Sequence, residues 1–96
     1  MIQLSYDVVE RAVARTFNIS QASLFSMPDD PKMEDAISLL FIMCREKLKV
    51  STDEIIERYS FVSKSGLLNR ICGAYEMMEH DDRLKGKYSI ISQMLS

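Results

Sequence analysis

The chain has 96 residues, 47% of them hydrophobic and 27% charged, with a formal net charge of −2 from 12 basic and 14 acidic residues. That length makes one domain, residues 1–96, burying roughly two-thirds of the surface its unfolded chain exposes, enough for a single core. Two cysteines exclude a disulfide scaffold, and three glycines with two prolines exclude a low-complexity or loop-dominated chain. The near balance of charge argues against a protein that coats polyanions through a bulk basic excess.

The longest apolar stretch, Ala36 to Cys44, is too short to span a bilayer. The opening residues lack the basic leader and apolar core of a signal peptide. The expectation is a cytoplasmic protein without a membrane partner.

From Ser5, Val8, Val9, Ala12, Val13 and Phe17 recur at helical spacing, with Asp7 and Glu10 early and Arg11 and Arg15 later, as the helix dipole favours. Asn18 is a stop, and Ser20 caps a short turn that points Leu24 and Phe25 inward. Asp30-Pro31 reads as N-cap and first helical residue, since proline lacks an amide that would be unpaired there. The helix from Pro31 to about Lys49 is apolar nearly all round between 36 and 44, which predicts a central helix covered by its neighbours. Ser51-Thr52-Asp53-Glu54 has the spacing of a capping box, with Ile55, Ile56 and Tyr59 facing inward from the helix it starts. After Ser60-Phe61-Val62, Ser63 caps a longer helix whose Leu67, Leu68, Ile71, Tyr75 and Met78 form an apolar stripe. Gly73 within it costs roughly 1 kcal/mol relative to alanine, so another helix is expected to pack closely there. His80-Asp81-Asp82 ends that helix, and a last one buries Leu84, Tyr88, Ile91, Met94 and Leu95. The fold class is all-α, with about six helices and no strand.

Chemistry-bearing constellations are scarce. Cys44 and Cys72 are too far apart for the paired ligands of a structural zinc site and read as small core hydrophobes. His80 reads as a solvated helix-end residue with no nucleophile to activate. Asp29-Asp30 and Asp81-Asp82 read as caps. Three scattered glycines cannot build a phosphate-cradling loop. No catalytic site, metal or cofactor is expected, and the chain does not read as an enzyme.

Residues 51–79 form a short helix, a tight turn and a longer helix, the spacing of a helix-turn-helix whose second helix can enter the DNA major groove. The polar face at the start of the second helix carries Ser63, Lys64, Ser65, Gly66, Asn69 and Arg70. Lys64 and Arg70 suit phosphate or guanine, Asn69 suits adenine, and the serine hydroxyls suit phosphate. Lys47, Lys49 and Arg58 would add phosphate contacts from neighbouring segments. Residues 45–70 carry a net charge of +2, a mild basic skew in the middle of the chain. Helix pairs with polar outer faces occur in any helical bundle, so spacing alone leaves a purely structural pair open.

A resemblance extends these observations. Val9-Glu-Arg-Ala-Val-Ala-Arg-Thr-Phe-Asn-Ile-Ser20, followed by Leu24-Phe-Ser, resembles the opening of the carboxy-terminal DNA-binding domain (domain IV) of the bacterial replication initiator DnaA. Arg45-Glu46, Ser51, Glu54-Ile55, Tyr59 and Leu67-Leu68 continue the similarity, which spans about Val9 to Leu95. The resemblance implies a Trp-repressor-like helix-turn-helix bundle that reads double-stranded DNA. The family's Gly-Gly-Arg turn and Asp-His-Thr-Thr motif are here Ser60-Phe61-Val62 and Ser63-Lys64-Ser65-Gly66, and its Arg-Gln pair in the central helix is Ile37-Ser38. No ATPase P-loop is present. The expectation is a stand-alone DnaA-like DNA-binding domain, of the kind a mobile element or a replication-related regulator uses. The alternative is an adaptor that keeps the fold, has lost specific DNA binding, and holds a protein partner or a second copy through exposed Phe61 and Val62.

Overall fold

The computed structural model describes residues 3–96, which fold into five α-helices: α1 (Tyr6–Phe17), α2 (Pro31–Met43), α3 (Thr52–Arg58), α4 (Lys64–Met78) and α5 (Asp82–Met94). The segment after Ser20, expected as a turn, is a 3-10 helix over Gln21–Phe25, and the expected end of the central helix is a separate π-helical turn, Cys44–Leu48. Among the described residues there is no strand, and no helix is long and apolar enough to cross a membrane.

Local chemistry sets the helix starts. Ser5 accepts from the Val8 amide at 3.3 Å, Asp30 from Met33 at 2.8 Å, Ser51 from Glu54 at 3.2 Å and Ser63 from Gly66 at 3.1 Å. Each satisfies one of the amides that a helix start leaves without a partner. Asp81 takes two, from Arg83 at 2.9 Å and Leu84 at 3.2 Å. Asn18 ends α1 in the left-handed region at φ 57°, as does Lys49 after the π-helical turn.

The core is built around α2. Ala36, Ile37 and every residue from Leu39 to Cys44 are fully buried, with α1, α4, α5 and the 3-10 helix packed on its faces. An aromatic cluster closes one end: the Tyr59 ring lies 5.3 Å from Phe25, 5.7 Å from Phe41 and 6.3 Å from Tyr6.

Several expected inward positions differ. The buried stripe of α4 is Leu67, Ile71 and Ala74 with half-buried Met78, while Leu68 and Tyr75 stand 37% and 41% exposed on its flank. Leu68 is about a quarter-turn from the centre of that stripe and Tyr75 slightly less, at its edge, and α4 is contacted from one side only. A Cβ at Gly73 would meet nothing within 4 Å, so no helix packs closely there. Phe25 is exposed, covering the edge of the aromatic cluster instead of entering the core. Cys44 is buried as expected and Cys72 is exposed, on the solvent side of α4.

Candidate nucleic-acid interface

The residues expected to meet DNA lie in and around the unit formed by α3, the connection 59–63 and α4. The connection is anchored from below. Val62 is buried, with only 7% of its surface exposed, and the half-buried Phe61 ring stacks on Phe41 at 6.3 Å. The expectation of an exposed Phe61–Val62 pair is therefore corrected: both turn inward and fasten the connection to the core, which withdraws them as a partner surface.

Above that anchor, Ser63, Lys64, Ser65 and Asn69 are all exposed. The Ser63 hydroxyl caps Gly66 and lies 3.4 Å from the Ser65 hydroxyl. A Cβ at Gly66 would come within 3.1 Å of that Ser63 Oγ and 3.4 Å of Val62 Cγ2, so the cap uses the room glycine leaves. The ammonium of Lys64 is 3.8 Å from the Asp53 carboxylate, both side chains being exposed. Such a surface pair contributes little and releases its lysine readily.

The two arginines are differently placed. Arg70 pairs with Glu34 of α2 and keeps only 19% of its side chain exposed. Arg58 donates through Nε and Nη2 to Glu10 at 2.9 and 3.2 Å, with its guanidinium 4.6 Å above the Tyr6 ring and 5.5 Å from that of Phe25. Glu10 has no exposed surface. It also accepts from the Tyr59 hydroxyl at 2.5 Å and from the Gln21 amide at 2.9 Å, so both carboxylate oxygens are filled. The hydrogen bonds from Arg58 to Glu10 raise the arginine's pKa further, and burial raises that of Tyr59. Burying such a charge costs desolvation, which is offset only while every partner stays in place.

Glu10 is the residue that sequence reasoning missed. It lies four residues after Tyr6 and three before Val13, on the apolar stripe of α1, and a carboxylate in that register was the available signal. Lys49 is exposed and Lys47 half-buried, on the π-helical turn and just after it. Just before them, Glu46 accepts from Tyr88 at 2.5 Å and from Tyr75, joining the turn to α4 and α5.

The amino end of α4 thus carries one exposed cation, two hydroxyls and an amide. Toward its carboxyl end the solvent side turns acidic, with Glu76 and Glu79. No protein-family model, curated protein or solved structure matches the chain.

Proposed function

We propose that the chain is a stand-alone helix-turn-helix DNA-binding domain, related in fold to domain IV of DnaA and without ATPase activity, which meets duplex DNA at the amino end of α4. A cytoplasmic location goes with that reading. The observation that carries it is the joint exposure of Ser63, Lys64, Ser65 and Asn69 at one helix start, above a connection pinned by Phe61 and Val62. The first amides of α4 add donors of their own, because a helix start leaves them without intrahelical acceptors. Asn69, one turn further along, has the donor–acceptor pair that matches an adenine edge.

Three cations, Lys47, Lys49 and Lys64, are left to neutralise phosphate once Arg58 and Arg70 are assigned to Glu10 and Glu34. The expected dependence of log K on log salt is therefore shallow, with a slope of about −3. An amide-shift titration with a short duplex at ~50 mM and ~200 mM salt tests this, since phosphate contacts weaken across that range. Shifts centred on residues 63–69 that fade with salt are the expected result, with Lys64→Ala and Asn69→Ala together removing them. An unchanged spectrum at the lower salt defeats the proposal.

A second reading, a protein-interaction domain on the same scaffold, is favoured by the acidic and apolar character of the rest of α4's solvent side, where Leu68, Cys72, Tyr75, Glu76 and Glu79 are exposed.

A further inference from the structure

We infer that the outer flank of α4 is a self-association surface, which pairs antiparallel with α4 of a second copy of this chain. Ser65, Leu68, Cys72, Tyr75 and Glu79 follow one another at spacings of three, four, three and four residues, and all five are exposed. That alternation is the seam along which two helices interdigitate. Its middle is apolar, with Leu68, Cys72 and Tyr75, and its ends are polar.

Charge selects the occupant and its direction. Lys64 lies at the amino end of the flank, and Glu76 and Glu79 lie toward the carboxyl end. A parallel copy would set like charges side by side. A copy reversed about a two-fold axis brings Lys64 of each chain toward Glu79 of the other, the self-complementary arrangement that a two-fold dimer requires. Asn69 on one flank of the seam then approaches Glu76 of the second copy, as donor to acceptor.

The surface is also preorganised. The Tyr75 hydroxyl donates to Glu46, which Tyr88 holds from the other side, so the exposed ring is fixed before any partner arrives. Fixing a side chain in advance lowers the ordering cost of association. Only about two turns of the seam, Leu68 to Tyr75, are apolar, less than a standard interface buries, so the dimer is weak, with a Kd of about 10 μM to 1 mM. The surface is argued from α4 and the Glu46 junction that steadies it, and stands whether or not the domain binds DNA. Because it covers Lys64 and Ser65, a second copy and a duplex would exclude one another.

Sedimentation equilibrium of the intact chain without DNA, from ~10 μM to ~1 mM, reads the association directly. The apparent mass should climb toward twice that of the monomer, and Leu68→Glu should hold it at the monomer value. Cys72→Glu should do the same, from a site that contributes nothing to the core. Lys64→Glu should weaken the dimer, and adding Glu79→Lys should restore it, which only a reversed second copy explains. A short bis-maleimide should join two chains through Cys72, because Cys44 is buried and its thiol is pushed up to about 12 by that burial. A mass that stays monomeric to ~1 mM overturns the inference. So does a dimer that Leu68→Glu and Cys72→Glu leave intact, or one that the maleimide does not cross-link.

Discussion

Two glycines of α4 have opposite uses. Gly66 sits where a methyl group would crowd the Ser63 hydroxyl and Val62, so Gly66→Ala disturbs the cap that starts the helix. Gly73 is helical, exposed and surrounded by open space. The sequence pattern suggested a close helix contact at Gly73 because glycine in mid-helix otherwise only weakens it, yet no such contact exists. Gly73→Ala should therefore stabilise the fold by about 0.5–1 kcal/mol, through reduced freedom of the unfolded chain. A urea midpoint that rises with an unchanged slope is the expected signature, and a fall would reveal a neighbour at that position.

The starts of the elements were legible in the sequence because capping is local: Ser5, Asp30, Ser51 and Ser63 each bond an amide three residues ahead. The all-round burial of α2 was legible for a similar reason, since an apolar run with no polar face has only one place to go. What was not legible depends on partners far along the chain. The exposure of Leu68, Cys72 and Tyr75 follows from α4 being covered on one side only, and apolar residues on a surface break no rule. The Glu46 junction, where the π-helical turn meets α4 and α5, is equally nonlocal, and it has a measurable consequence.

All four tyrosines have pKa values above the ordinary one. Burial is the leading cause for Tyr6, Tyr59 and Tyr75. For Tyr88 it is the hydrogen bond to Glu46, which pushes it up to about 12. The native state thus holds protons that the unfolded chain gives up near the ordinary value of about 10. Their contribution is intact below that pH and is lost as pH rises from there through the native values. Tyrosinate absorbance and loss of helical circular dichroism should therefore appear together above about pH 10. Tyr88→Phe should make the alkaline loss of stability shallower. Tyrosinate appearing well before the helices melt would contradict the junction.

At the scale of the whole molecule, the buried carboxylate of Glu10 joins parts that the chain keeps far apart: α1, the 3-10 helix and the end of α3, with Arg58 and Tyr59 lying 48 and 49 residues away. Arg58 read as a phosphate contact because its charge was visible and its partner was not. Its side chain is 37% exposed, so water softens the loss when that partner is removed. Glu10→Gln should cost about 3 kcal/mol. That is a large share of the roughly 5–15 kcal/mol that holds a domain together. Chemical denaturation of the pair of proteins measures it, and a change below about 1 kcal/mol would mean that the four donors are not held as the geometry has them.

The Glu10 junction also bears on how such a unit can travel between proteins. The short helix, its connection and the longer helix look, in outline, like a cassette that could be cut from one chain and spliced into another. Here the cassette keeps Arg58 and Tyr59 and leaves behind the carboxylate that both were shaped around. In a recipient without a matching acid it would arrive with a half-sheltered guanidinium and a buried phenol, both unpaired. Exchange of this helix pair by recombination must therefore carry α1 with it, making nearly the whole chain the smallest inheritable piece.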